Sequence, residues 1–253
     1  MSEHIRVEDK DRVRWVTIAR PEKKNAITQV MYGAMADALE GYGADGDLRA
    51  LVFTGEGDMF TAGNDLMDFA GSMNNHEVPG VIRFLDAIRD CPKPLIAAVN
   101  GQAIGIGLTM LLHCDLVYTA RSAMIGAPFV KLAVVPEAGS SLLLPKAVGM
   151  AVANDILLAG RALSGEEAVA HGLASRLFED AELIDQVAKI AAGVAASSPT
   201  SVLKSKALIR ACGYDELKAQ MERELKEFGA QLQSADFRES VAAMMQKRAP
   251  VYK

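Results

Sequence analysis

One carboxylic acid in this 253-residue chain stands among small and apolar neighbours: Glu137, in Val134-Val135-Pro136-Glu137-Ala138-Gly139-Ser140-Ser141. An acid held in an apolar pocket keeps its proton to higher pH and can serve as a general base near neutrality. Pro136 and Glu137 equally fit the first turn of a helix, where the dipole favours an acid. The segment alone therefore leaves two roles open, cap or base. Two further segments place small residues where backbone N–H groups can face a developing anion. In Phe60-Thr61-Ala62-Gly63-Asn64-Asp65-Leu66 a strand and turn give way to an acidic residue that opens a short helix. In Asn100-Gly101-Gln102-Ala103-Ile104-Gly105-Ile106-Gly107, glycines after an apolar run allow close backbone approach and lead into the apolar helix Leu108–Leu112. Each also reads as ordinary packing: a helix start capped by Asp65, or glycines that let elements touch. The tripeptide His113-Cys114-Asp115 is discounted as a nucleophile set, because sequence neighbours on a helix or strand do not face one another.

The elements that must position these segments follow from periodicity. Residues 13–19 and 49–54 are rich in β-branched and aromatic side chains and read as strands. Between them Met31, Ala34, Met35, Ala38 and Tyr42 recur at helical spacing behind Thr28, an N-cap. A helix over 79–90 is stopped by Pro92 and Pro94, and Leu95–Val99 is an apolar run of buried-strand length. Further strands are expected at Leu116–Thr119, Ala123–Gly126 and Leu173–Phe178. Ser164 and Glu167 have capping-box spacing for a helix closed by Gly172. From about residue 138 the reading is mostly helical; Ser198-Pro199 separates two helices, and 200–248 carries charged faces such as Glu222, Arg223, Glu224 and Lys226. This is an α/β core followed by a helical region.

Composition narrows the function. Half of the residues are hydrophobic and 23% are charged, which suits a globular chain. A net charge of −5 disfavours general binding to nucleic acid or to an anionic membrane. No apolar run reaches the roughly 20 residues that span a bilayer. Three scattered cysteines form no metal cluster with the four histidines. The expectation is a cytoplasmic protein with reduced thiols, no metal and no membrane association.

Together with Arg20-Pro21-Glu22-Lys23-Lys24-Asn25-Ala26-Ile27, these segments in this order resemble the enoyl-CoA hydratase/isomerase (crotonase) superfamily over nearly the whole chain. The resemblance implies a crotonase-like spiral of ββα units over residues 1–195, holding the acyl-CoA site. A C-terminal helical region, 196–253, would assist assembly into a homotrimer or a hexamer built as a dimer of trimers. It implies an acyl-CoA thioester substrate, coenzyme A being part of that substrate and no separate cofactor. The thioester oxygen would be held by the backbone N–H groups of Asn64 and Ile106. Asp65, Leu66 and Gly105 continue the two loops at the substrate. The Ala62 backbone would meet the adenine, Lys24 the phosphate region, and Lys247 a CoA phosphate across the subunit boundary.

Departures from the pattern carry as much weight. Hydratases of this family use two glutamates to activate water; the matching positions here are Thr109 and Phe129, and Phe129 would make that wall apolar. The stretch VVPEAGSS, with AGNDL, resembles most the peroxisomal-type Δ3,Δ2-enoyl-CoA isomerases, in which the glutamate of this loop, here Glu137, is the acid/base. The implied reaction turns 3-enoyl-CoA into 2-enoyl-CoA. The competing readings are a hydratase or another crotonase chemistry, and a catalytically silent CoA-binding or scaffold protein. Acyl-chain length is left to loops such as Met67–Val78.

Overall fold

In the computed structural model, residues 2–65, 68 and 80–252 are described. Six strands form one sheet in the order β1 (Ile5–Lys10), β2 (Val13–Ile18), β3 (Ala50–Gly55), β5 (Leu95–Val99), β7 (Leu116–Ala120) and β10 (Arg176–Phe178). Only the β1–β2 hairpin is antiparallel; the other neighbours in this sheet are parallel. A second sheet takes β4 (Met59–Thr61), β6 (Gln102–Ile104), β8 (Met124–Gly126) and β9 (Ala162–Ser164), the first three parallel. Successive strands therefore alternate between sheets: β3 and β4, then helix α2 (Gly80–Asp90); β5 and β6, then α3 (Ile106–Thr109); then β7 and β8. That alternation is a spiral of ββα units.

The central strands are apolar on both faces because helices cover both faces. Leu51, Phe53, Leu95, Ala97 and Val99 point into the main core, with α1 (Gln29–Ala44) and α2. Their period-2 partners Ala50, Val52, Ile96 and Ala98 meet Leu183, Val187 and Ala191 of α7 (Leu183–Ala196). Thr28 caps α1 as its spacing predicts, and Ser164 with Glu167 closes a capping box on α6 (Gly165–Ala170). The chain continues through α4 (Ser140–Val148) and α5 (Met150–Leu157). It ends in α8 (Pro199–Ala211), α9 (Tyr214–Leu232) and α10 (Ala235–Met245).

Five details depart from the sequence reading. The N-terminal segment, not among the expected strands, forms β1, in which Ile5 alone is buried. The second sheet consists of three-residue strands; β8 falls within the expected Ala123–Gly126, and the other three are too short for alternation to register. The expected strand over Leu173–Phe178 shrinks to Arg176–Phe178, and the helix expected over Leu108–Leu112 divides into α3 and a 3-10 turn at Met110–His113. Finally, α4 begins at Ser140 with Gly139 as its N-cap, so Glu137 stands before the helix and not in its first turn.

Candidate active site

The three suspect segments share one topological address. Each follows the C-terminal end of one of three adjacent parallel strands, β4, β6 and β8, where ligand sites of parallel sheets gather. After β4, the loop 62–65 is fastened to the segment at Lys24–Ile27: Ala62 N–H donates to the Lys24 carbonyl (3.0 Å), Ile27 N–H to Gly63 (2.8 Å) and Asp65 N–H to Ile27 (2.8 Å). Buried Asn25 adds side-chain bonds to the carbonyls of Glu56 and Met59. The Asn64 N–H is left with no acceptor among the described residues.

After β6 the chain turns at Gly105 (φ 60°), whose N–H donates to Gly126 at the end of β8 (2.9 Å). Its carbonyl takes the N–H groups of Leu108 and Thr109, so Ile106 opens α3 with its own N–H unpartnered among the described residues. The two loops touch at Gly63: with φ 96°, a Cβ there would lie 2.9 Å from the Ile104 carbonyl oxygen. Only glycine combines that backbone angle with that approach. The arrangement offers two backbone donors free to hold an oxyanion.

The third loop carries Glu137. Ala138, beside it, sits at φ 58°, a conformation that non-glycine residues enter at a cost. Glu224 of α9 compensates: its carboxylate accepts from Gly139 N–H (2.5 Å), Ser141 N–H (2.9 Å) and the Ser141 hydroxyl (2.5 Å). Glu224 is only 5% exposed, which corrects its assignment to a solvated face. The Thr109 hydroxyl, fully buried, donates to Oε1 of Glu137 at 2.5 Å. Atoms crowd the Glu137 carboxyl even though part of the residue opens onto a cavity. That crowding raises its pKa from 4.5 to about 7, against the lowering effect of the Thr109 bond and with a further push from Glu224.

The cavity, about 370 Å³, brings Asn64 and Glu137 to one space. Its apolar walls are Val81, Ile82 and Leu85 of α2 with Met221, Leu225 and Phe228 of α9, and Asp86, Arg89, Lys218 and Glu222 complete the lining. Tyr32 of α1 approaches from below: its hydroxyl donates to the Asn64 side-chain oxygen, and its ring lies 5.5 Å from that of Phe84. Burial, and next the charge of Glu137, hold the Tyr32 phenol protonated.

The remaining sequence candidates fall elsewhere. Phe129 is buried in the main core and is not in the cavity wall, whose apolar character comes from α2 and α9. Lys24 and Lys247 are exposed and outside the cavity lining, although the Lys24 carbonyl steadies Ala62. Asp65 pairs with Arg20 at 2.8 Å and accepts the Asp68 N–H. Leu66 and most of Met67–Val78 lie outside the described residues. The tripeptide at 113–115 does disperse: His113 binds the Ala138 carbonyl (2.7 Å), and Asp115 pairs with Lys206 (2.7 Å) and Arg210 (3.1 Å). Among the described residues no helix is long and apolar enough to cross a membrane, and no group of His, Cys, Asp and Glu is placed to hold a metal. Sequence reasoning missed Tyr32, hidden in an apolar stripe, and Glu224, hidden in a run of charges. It saw Thr109 only as a missing carboxylate.

Comparison with known proteins identifies the family and the fold. A family model described as enoyl-CoA hydratase/isomerase matches residues 8–253. A carnitinyl-CoA dehydratase of Salmonella typhi is 34% identical over 100% of this chain and 99% of its own length. Enoyl-CoA delta isomerase 2 of Rattus norvegicus is 38% identical over 88% of this chain, which spans 58% of that longer protein. The crystal structure of an enoyl-CoA hydratase/isomerase from Pseudoalteromonas atlantica T6c superposes with a TM-score of 0.96. It is 52% identical, over 99% of this chain and 100% of that one.

Proposed function

Because the chain belongs to the enoyl-CoA hydratase/isomerase family and so is an acyl-CoA enzyme, we propose that it converts 3-enoyl-CoA to 2-enoyl-CoA with Glu137 as acid and base. The observation that carries this reading is a crowded carboxylate of raised pKa sharing a cavity with Asn64, while threonine stands where a hydratase would have a glutamate. Glu137 takes a proton from C2. The C2–H electron pair becomes the C1–C2 π bond, and the carbonyl pair moves onto oxygen, held by the Asn64 and Ile106 N–H groups. Return of the proton to C4 uses the C3–C4 π pair. The C1–C2 pair shifts to C2–C3, and the thioester carbonyl re-forms. One carboxylate suffices and water is not consumed. Losing one oxyanion-hole donor costs about 3–4 kcal/mol in other enzymes that use such a hole. A pKa near 7 leaves Glu137 able both to accept and to donate at neutral pH.

The substrate brings its own coenzyme A, and the proposal includes no further cofactor. Contacts of Lys24, Ala62 and Lys247 with the CoA moiety, and assembly as a trimer or hexamer through residues 196–253, belong to the same proposal. A second reading, addition or removal of water, draws support from the full-length similarity to a carnitinyl-CoA dehydratase. Side-by-side rates on a 3-enoyl-CoA, crotonyl-CoA and carnitinyl-CoA separate the two. Conjugated product from the first at a rate well above hydration or dehydration of the others supports the isomerase. Dominant water chemistry supports the second reading. Tight CoA binding without turnover would sink both.

A further inference from the structure

Resting on that reading, we propose that Thr109 is the positioning residue that commits Oε1 of Glu137 to a fixed hydrogen bond and leaves Oε2 as the oxygen that carries the migrating proton. The Oε1 contact, 2.5 Å from a hydroxyl with no exposed surface, is the one hydrogen bond to this carboxyl among the described residues. Other polar groups around it do not donate to it: Tyr32 on α1 and Glu224 on α9 interact with it by charge, and Asp86 and Arg89 on α2 with Lys218 and Glu222 on α9 line the same cavity.

Helical threonines commonly turn their hydroxyl back to the carbonyl four residues earlier. Here that carbonyl, on Gly105, already accepts two N–H groups, and the Thr109 hydroxyl is spent on Glu137 instead. The bond survives the reaction in both directions. An ionised carboxylate accepts from Thr109 at Oε1, and so does the carbonyl oxygen of an acid protonated at Oε2. The carboxyl therefore has no reason to rotate between taking the C2 proton and returning it to C4. Thr109 also lies three residues past Ile106 on the same short helix, so one piece of backbone sets both the oxyanion donor and the orientation of the base.

The test compares wild type with Thr109→Val and Thr109→Ser, with Thr109→Ala as the hydroxyl-free variant should valine not fold. Two readouts are needed: the pH dependence of kcat/KM for isomerisation, and an infrared titration of the Glu137 carboxyl as a difference against Glu137→Gln, which requires no turnover. The expected result is a 10- to 100-fold loss of kcat with KM little changed. The Glu137 midpoint should rise by about one pH unit, because a donor to the charged form is gone. Serine restores both. A folded hydroxyl-free variant with wild-type kcat and an unmoved midpoint overturns the inference. A midpoint that moves in a protein whose wild type does not isomerise supports the Thr109 bond and overturns the reaction assignment alone.

Discussion

The two sides of the site are built by opposite means. The proposed oxyanion side is backbone. The loops that carry its proposed donors, on Asn64 and Ile106, are held by backbone hydrogen bonds to the 24–27 segment and to the end of β8, and side chains matter there mainly where they must be absent, as at Gly63. The proposed acid/base side is a single side chain, Glu137, on a loop with a positive-φ alanine, held by Thr109 and through Glu224 on a helix more than 80 residues further along. The first side tolerates side-chain change and tells little about the reaction. The second decides the chemistry and depends on a few long-range contacts.

Four perturbations would sharpen or break that contrast. Gly63→Val should have the largest effect on the oxyanion side, because it drives the two loops apart. We expect kcat to fall at least 100-fold with Glu137 titrating as before. Near-normal turnover would mean that the loops do not form the hole. Glu224→Ala should strike the other side, orphaning three donors around residues 139–141 at a cost of about 3 kcal/mol in denaturant unfolding. It should also lower the acid limb of the pH–rate profile, since the Glu224 charge pushes Glu137 upward.

His113, which binds the Ala138 carbonyl, tests how firmly that loop is anchored in acid. Burial lowers its pKa from 6.5 to about 4. It thus supplies stability that is present above pH 6.5 and lost as pH falls through 4. Unfolding free energy should drop by about 2–3 kcal/mol across that window, and His113→Gln should flatten the drop. Smallest is the effect of the base on its own fold. The pKa of Glu137 is raised from 4.5 to about 7, so its contribution is complete below pH 4.5 and lost as pH rises through 7. Glu137→Gln should be more stable than wild type by about 1–2 kcal/mol at pH 8, after allowance for the part of the residue that faces the cavity, and the gain should vanish toward pH 4.5.

The contrast also explains what was legible in the sequence. Strands such as Leu95–Val99 and the caps at Thr28 and Ser164 announce themselves because local physics fixes them. The glycine-rich loops at 60–66 and 100–107 are visible as small residues after strands, although the same pattern also fits ordinary packing, and only their joint order singled them out. Glu137 was visible as an acid among small residues, but its freedom from the helix was not, since Pro136-Glu137 also fits a first turn. Glu224 and Tyr32 act only through partners distant in the chain, and no local pattern separates Glu224 from the exposed acids around it. The apolar wall expected of Phe129 comes instead from α2 and α9, a pairing that no spacing rule reports. Of the three-residue strands that aim the three loops, the one at Met124–Gly126 was legible, while those at Met59–Thr61 and Gln102–Ile104 are too short for alternation to reveal.

The most direct test of the central claim is the turnover of a 3-enoyl-CoA by Glu137→Gln beside wild type, followed as formation of the conjugated thioester, with folding checked by circular dichroism. The account predicts rapid conversion by wild type and a loss of at least 1,000-fold in the folded variant, about 4 kcal/mol of transition-state stabilisation. Conversion by the variant within a factor of ten of wild type would contradict it and assign the proton transfer to another group.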